Sequence, residues 1–358
     1  MKFIHCADLH LDSKLESNIG KEKAKERRNE ILFTFERIVK LARDENVTAV
    51  LIAGDLFDTA NIAAKARKMV WDLIEKNSEI DFLYLRGNHD AQTNFMEGKE
   101  LPDNFKIFGK DWVEYRYGEV SVFGRETVGD DNNYASLITE PDRINIVMMH
   151  GQEVRSNLKD NADLITLPAL QNRNIDYLAL GHIHTYKRAQ LDSRGVYCYS
   201  GCPEGRGFDE CGNKGVVLLN VEKHAITDSF IPMAYRTLHE VAVDITGRET
   251  ATDILRAVNE KVSDISGTDM VKIVLTGEYT VDTEKDFVYF QQAMEGRFYF
   301  MKWKDASRLS IDYREYENMI SLKGEFVRTV LAGKETDEEK EQMIMLGLRA
   351  LSGEELEL

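Results

Sequence analysis

The chain is poor in the residues that build covalently or conformationally rigid scaffolds. Its 358 residues include only four cysteines and five prolines, which excludes a disulfide-stapled small module and a proline-rich linker. Cys6, Cys198, Cys202 and Cys211 form no Cys-x-x-Cys pair. A structural zinc site wants four closely spaced ligands, so free thiols in a reducing compartment are the simpler expectation. No apolar run approaches the ~20 residues of a membrane span. The start, Met1 to Asp8, lacks the long apolar stretch and small-residue cleavage site of a signal peptide. A cytoplasmic protein without a membrane segment is therefore expected. The sequence also lacks a Gly-x-x-x-x-Gly-Lys-Ser/Thr loop, so ATP-driven gating would have to come from a partner. Positive charge is short as well: 46 Lys+Arg stand against 62 Asp+Glu, a net charge of -16. That excludes a simple basic sleeve for nucleic acid, which needs clustered cations. It leaves room for a metalloenzyme, whose bound cations offset a carboxylate-rich site.

What is present is a chain 43% hydrophobic and 30% charged, enough to bury a core in more than one domain. Short apolar runs at Lys2 to Cys6, Thr48 to Ala53, Asp81 to Leu85, Ile144 to Met149 and Tyr177 to Leu180 read as buried strands. Between the first three lie helix-period stretches, Lys21 to Asn46 and Ala60 to Asn77, which predicts βα units and a sheet covered by helices. Alternating segments from Trp112 to Arg125 and from Tyr186 to Pro232 read as antiparallel β-structure. A second cycle begins beyond Pro232, with strands at Thr237 to Asp244, Met270 to Thr276 and Arg297 to Lys304 and helices at Thr250 to Ser263 and Glu284 to Met294. Leu322 to Leu358 is expected to be helical, interrupted at Gly333.

Polar residues gather where the strands end: Asp8-Leu9-His10, Gly54-Asp55-Leu56-Phe57-Asp58, Gly87-Asn88-His89-Asp90, His150-Gly151 and Gly181-His182-Ile183-His184. In an open α/β sheet the carboxyl ends of the strands line one crevice, so five such ends can converge. Oxygen and imidazole donors without thiolate suit two divalent ions of the Mn, Fe or Zn type. Residues two apart on an extended segment face the same side, so Asp8/His10 and His182/His184 can each serve one cluster. The glycines before Asp55, Asn88 and His182 permit close backbone approach. Asp-x-His and Gly-Asp-x-x-Asp alone carry little, and Gly-Asn-His-Asp and Gly-His-x-His are more specific though each can be a polar turn; all five in this order, each after an apolar run, are not coincidence.

On those five motifs the sequence resembles the calcineurin-like metallophosphoesterase superfamily. More narrowly it resembles the nuclease subunits of bacterial SbcCD-type DNA-repair complexes, including the YhaO-like branch. Ala53 to Thr59, Arg86 before the Gly-Asn-His-Asp motif, and Gly347 to Leu351 carry the narrower likeness. The resemblance implies an α/β fold: a metallophosphoesterase β-sandwich flanked by helices over residues 1–232, a small α/β capping or DNA-binding domain over 233–315, and C-terminal helices over 316–358. It implies one metal bound by Asp8, His10, Asp55 and His184 and another by Asp55, Asn88, His150 and His182, most simply Mn2+, with Fe2+, Zn2+ or Mg2+ as alternatives. His89 would face the scissile phosphate. Asp58 stands where archaeal and eukaryotic relatives carry a second catalytic histidine, so a catalytic role is expected for it too.

The implied activity is two-metal hydrolysis of DNA ends, as exonuclease or endonuclease, in DNA repair and recombination. The implied partners are DNA, a second copy of the chain through the helix Lys21 to Asn46 or its neighbours, and an SMC-like coiled-coil ATPase (SbcC- or YhaN-like) gripped by Leu322 to Leu351. Charge alone nominates Lys14, Arg125 and Arg206 as DNA contacts, beside the cations of the segments 21–28 and 65–68 and Lys302 and Lys304. A phosphodiesterase or phosphatase for nucleotides or other small phosphoesters is the competing enzyme. Protein phosphatases typically continue the second motif with Arg-Gly, whereas Thr59-Ala60 follows here. A non-catalytic scaffold subunit is the competitor of another class, opposed by retention of every ligand. The acidic excess is uneven: residues 1–233 hold 30 Lys+Arg against 37 Asp+Glu, and residues 234–358 hold 16 against 25.

Overall fold

A computed structural model describes the chain except residues 16–18, 91–92, 127–133, 156–163, 281–282, 311–315, 317–318 and 352–358, and the side chains of Glu338, Glu341 and Arg349. The expected 315/316 boundary, Arg349 of the Gly347 to Leu351 hint and the end of the expected C-terminal helix therefore lie outside the described residues. The chain divides into two compact units, Met1–Thr237 and Leu238–Leu358. None of the helices among the described residues is long and apolar enough to cross a membrane.

In the first unit β1 (Lys2–Cys6), β2 (Ala49–Ala53), β3 (Asp81–Leu85) and β4 (Phe105–Ile107) pair in parallel, and the antiparallel hairpin β13 (Gly215–Glu222) and β14 (Ala225–Pro232) extends the sheet beyond β1. Helices α1 (Lys21–Asp44) and α2 (Ala64–Glu75) make the crossovers. Ile31, Phe35, Ile38, Val39 and Ala42 form one buried stripe of α1, the spacing of an amphipathic helix. Asn46, at φ 53°, turns the chain out of α1 in the left-handed conformation that asparagine tolerates. The second sheet has the order β11-β12-β10-β7-β6-β5, built from β5 (Val113–Tyr117), β6 (Val120–Gly124), β7 (Ile144–His150), β10 (Tyr177–Gly181), β11 (Lys187–Gln190) and β12 (Val196–Tyr199).

Only the edges of that second sheet are antiparallel: β5 against β6, and β11 against β12. The pairings within the segments Trp112 to Arg125 and Tyr186 to Pro232 are antiparallel, as their alternation suggested, while β6 and β12 join the central strands β7 and β10 in parallel. The chain leaves β10, forms the outer strand β11 and returns between the two, so β12 runs with β10. Alternation reports a strand with distinct faces and says nothing of its neighbour's direction.

The two sheets pack face to face. Phe3, Leu51, Ala53, Leu83 and Leu85 meet Val122, Ile146, Met148, Tyr177 and Ala179 in one core cluster. The outer side of the first sheet packs against α1 and α2 through Ile4, Cys6, Val50, Ile52, Phe35, Val70 and Trp71. A third cluster covers the outer side of the second sheet, with Leu167 and Leu170 of α3 (Leu167–Leu170) against Val147, Leu178 and Leu180. β8 (Gln152–Val154) and β9 (Leu164–Thr166) form a short parallel pair.

The second unit holds a parallel sheet of β15 (Leu238–Asp244), β16 (Met270–Thr276) and β18 (Phe300–Asp305), packed on α4 (Ala251–Lys261) and α5 (Phe287–Ala293). β17 (Glu278–Tyr279) pairs with β19 (Arg308–Leu309). Thr250 and Asp286 cap α4 and α5 by accepting the Asp253 and Tyr289 backbone N–H groups, as N-cap side chains do. α6 (Leu322–Leu331) and α7 (Asp337–Leu351) share a small core of Tyr316, Val327, Val330, Ile344 and Leu348.

Two motif glycines are required by close approach between the sheets. A Cβ on Gly181 would lie 1.9 Å from the Ala53 carbonyl oxygen and 2.8 Å from His150 Nδ1, and one on Gly54 would lie 2.1 Å from His150 Nδ1. Gly54 also sits at φ 93°, a conformation open to glycine. Gly181→Ala is therefore expected to cost about 1–3 kcal/mol by overpacking, read as a lower midpoint in denaturant unfolding; an unchanged midpoint would contradict the packing described here.

Candidate metal centre

All five strand-end motifs meet at one edge of the sandwich. The loops after β1 and β2 run side by side, with Asp8 N–H donating to Gly54 O at 3.0 Å and His10 N–H to Asp55 O at 2.9 Å. Asp8, His10, Asp55 and His182 have positive φ angles of 52°, 44°, 52° and 102°. Non-glycine residues rarely hold this conformation unless their surroundings enforce it, and such strain gathers at functional sites. The enforcement is visible. Asp90, almost fully buried, accepts the backbone N–H groups of Leu56, Phe57 and Gly87, each at 3.1 Å, and so ties the second motif to the third. Asp8 accepts the His182 N–H at 2.8 Å, tying the first sheet to the second. Asp55 accepts the His89 N–H at 3.0 Å.

Asp8, His10, Asp55 and His150 are all buried. His10 Nε2 and His184 Nε2 face each other at 3.2 Å. Asp55 Oδ2 lies 3.8 Å from His10 Nε2 and 3.4 Å from His150 Nε2, between two imidazole groups. Asn88 Oδ1 is 2.9 Å from His150 Nε2, and the His182 ring stands edge-on to His150 at 5.5 Å between centroids. His89 is at the open side, with 45% of its side chain exposed, and its Nδ1 lies 3.9 Å from Asp58 Oδ1. Three groups place one ligand atom per residue close enough to share an ion: Asp8, His10 and His184; Asp8, Asp55 and His150; and His10, Asp58 and His89. None includes a cysteine.

Electrostatics favour a cation here. Among the described residues no lysine or arginine pairs with Asp8 or Asp55; their charged neighbours are histidines. Burial pushes the Asp8 carboxyl up, and the His150 and His184 rings pull the other way. Burial acts on Asp55 in the same sense, but contact with His150 overrides it and holds the carboxyl down to about 2. Burial opposes charge on His150, yet Asp55 and Asp8 raise it to about 9. In the metal-free protein a proton on His150 thus does part of what a divalent ion would do. Oxygen and imidazole donors of this kind, with buried carboxylates lacking a fixed cation, fit a pair of borderline divalent ions.

The residues expected at DNA are placed unevenly. Lys14 is exposed. Arg125 is buried and donates from Nε to Lys110 O at 2.6 Å. Arg206 bridges Asp58 Oδ1 at 3.0 Å and Glu210 Oε1 at 2.9 Å. Arg27, from the basic start of α1, is buried against Glu30 and donates to Glu204 Oε1 at 2.8 Å. All three arginines are engaged within the protein: Arg27 and Arg206 pair with carboxylates, and Arg125 donates to a backbone carbonyl. Motif reading missed Glu210, whose Oε1 sits 2.6 Å from His184 Nδ1, and Lys214, which donates to His184 O at 2.7 Å. Both lie in an irregular Gly-rich segment between β12 and β13, and no strand-end signal marks them.

Residues 1–186, just over half of the chain, match the Metallophos family, the calcineurin-like phosphoesterases. The chain belongs to this family. The phosphoesterase is a hydrolase of a two-metal family, with candidate metal-binding residues in place. It is 28% identical over 330 residues to the uncharacterized metallophosphoesterase YhaO of Bacillus subtilis, covering 83% of this chain and 79% of that one. It is 25% identical over 342 residues to the DNA double-strand break repair protein Mre11 of Saccharolobus solfataricus, covering 88% and 85%. Among solved structures, a dimetal phosphatase from Danio rerio aligns with 65% of this chain and 96% of that one at 12% identity and a TM-score of 0.42.

The raised His150 yields a test with a definite sign. With its ring raised to about 9, His150 carries a proton at pH 7; as a metal ligand it would have to be neutral, so metal uptake there would release roughly one proton per chain. The release fades as pH rises through about 9. Calorimetric titration of Mn2+ in buffers of differing ionisation enthalpy measures it; His150→Ala removes that proton.

Proposed function

We propose that the phosphoesterase is a DNA phosphodiesterase, the nuclease subunit of a DNA-repair complex, using two Mn2+ ions. The observation that carries the two-metal reading is Asp55, buried and within 3.8 Å of His10 Nε2 and 3.4 Å of His150 Nε2, which suits one carboxylate shared by two ions. Asp8, His10, Asp55 and His184 would hold one; Asp55, Asn88, His150 and His182 would hold the other. Metal ions bound there would supply Lewis-acid polarisation of a phosphoryl oxygen and a water acidic enough to act at neutral pH.

The chain's own groups do the rest. Asp55, by accepting the His89 N–H, fixes the backbone of the exposed histidine. Its Nδ1 turned toward Asp58, the His89 ring offers Nε2 to the substrate and gives a proton to the departing oxygen. In-line attack of water leaves a phosphomonoester and a free hydroxyl. DNA as substrate is supported by the extent of similarity to Mre11, which reaches beyond the family match into the second unit.

In this reading residues 1–232 are the nuclease domain, 233–315 a capping domain that meets DNA, and 316–358 a docking element for an SMC-like ATPase, in a cytoplasmic complex built on a homodimer. Exposed Leu322, Met343, Leu346 and Leu351 on α6 and α7 supply apolar surface for such docking. Lys14 remains a DNA contact.

Asp55→Ala is expected to abolish Mn2+-dependent hydrolysis. His89→Ala is expected to retain bound Mn2+ while losing about 10²-fold or more in rate, the scale of general acid catalysis. Full activity of either purified variant on DNA sinks the assignment. Substrate class is decided separately by comparing linear duplex DNA, single-stranded DNA and bis-p-nitrophenyl phosphate: hydrolysis of all three is expected, and activity confined to the small ester replaces the nuclease reading with a small-phosphoester hydrolase.

A further inference from the structure

The segment between β12 and β13 reaches His184 directly and His10 through Asp58. His184 Nδ1 meets Glu210 Oε1 at 2.6 Å, against 3.3 Å to the Arg206 guanidinium. The shorter contact, to a group that only accepts, places the ring proton on Nδ1. His10 Nδ1 lies 3.1 Å from Asp58 Oδ1, an ion-pair distance outside hydrogen-bond geometry. Both rings turn Nδ1 toward a carboxylate, and their Nε2 atoms meet at 3.2 Å. An imidazole whose Nδ1–H is held by a carboxylate, as in His184, presents an Nε2 lone pair and is the usual partner of a metal ion. Two such lone pairs this close repel unless positive charge lies between them.

Arg206 joins the two carboxylates, with Nη1 3.0 Å from Asp58 Oδ1 and Nη2 2.9 Å from Glu210 Oε1. Its own backbone N–H donates to Glu210 Oε2 at 2.7 Å. A planar guanidinium can bridge two acceptors with fixed spacing, which an ammonium cannot. The segment is anchored in turn: Glu204 accepts from Arg27 at 2.8 Å and from Thr34 Oγ1 at 3.0 Å, both on α1. Lys214 fixes the His184 carbonyl at 2.7 Å. Arg206, Glu210 and Lys214 lie outside the stretch that matches the family.

We propose that Asp58, Arg206 and Glu210 act as one positioning clamp, holding His10 and His184 in the single tautomer and orientation that binds a divalent cation. The proposal rests on reading these two histidines as ligands. It makes Asp58 a positioning residue, engaged by Ser13 Oγ at 3.0 Å and Arg206, and gives Arg206 a task other than DNA contact.

The test is Mn2+ binding by the full chain, measured by equilibrium dialysis with elemental analysis for wild type, Glu210→Ala, Arg206→Met, the double variant and His184→Ala. Each single clamp variant is expected to weaken one of two Mn2+ equivalents by about 10–100-fold, the usual effect of losing an outer partner of a metal-bound histidine. The double variant is expected to be no weaker than the worse single one, since the two act as a unit. On bis-p-nitrophenyl phosphate the Mn2+ concentration for half-maximal rate should rise while the rate at saturating Mn2+ recovers, a split that general unfolding does not produce. Wild-type Mn2+ affinity in both single variants, or additive losses, overturns the clamp. Wild-type affinity in His184→Ala overturns instead the ligand reading beneath it. Arg206→Lys, which keeps the charge but loses the fork, decides the matter should Glu210→Ala not fold: weakened binding of the same equivalent supports the clamp, and unchanged binding refutes it.

Discussion

Two carboxylates, Asp8 and Asp55, lie almost fully buried at the ends of adjacent strands, and the site is organised around that burial. Removing such groups from water costs several kcal/mol each unless positive charge or hydrogen bonds replace the lost hydration. No lysine or arginine among the described residues supplies that charge. Backbone N–H groups of His182 and His89 supply part of the compensation, and the imidazoles of His10 and His150 stand where the remainder is needed. To bring these donors in, the chain accepts four left-handed non-glycine residues and two glycines with no room for a side chain. The sandwich beneath provides the stiffness, because its sheets share a dry core directly under the loops.

The same constraint recasts the acidic balance of the chain. A net charge of -16 is ill suited to a polyanionic substrate when charges are merely summed. Three arginines of the first unit are not available to offset it outside, since Arg27 and Arg206 neutralise internal carboxylates and Arg125 is buried on a backbone carbonyl. What counts for a phosphodiester is the local field, and a cleft that gathers buried carboxylates and imidazoles recruits its own cations. Summed charge describes solubility and long-range steering better than it describes such a site.

Most of the architecture was legible as pattern. Lys2–Cys6, Asp81–Leu85 and Met270–Thr276 begin and end where apolar runs predicted them, and the other expected helices and strands differ at their ends by a few residues. Those runs are legible because a parallel strand buried on both faces needs an unbroken apolar stretch. The antiparallel edges of the second sheet were legible, whereas their parallel pairing with the central strands was not, since alternation does not report a neighbour's direction. Nor was the fate of the arginines: a basic residue in a sequence looks the same whether it meets solvent, DNA or a buried glutamate.

By itself the amino-acid sequence determined which chemistry could be assembled, through five polar motifs each placed at the end of an apolar run. It also determined the family, because spacing relative to strand ends is a local property that sequence carries directly. Only the tertiary structure decided which side chains hold those motifs in place. Asp90 joins the second motif to the third, Glu210 stands behind His184, and Arg206 reaches back to Asp58. Leu56 and Asp90, His184 and Glu210, and Asp58 and Arg206 are distant in the chain, and each of these hydrogen bonds of 2.6–3.1 Å exists only once the fold has brought its ends together. The candidate site residues were therefore visible in the sequence, while their orientation is a property of the packed sandwich.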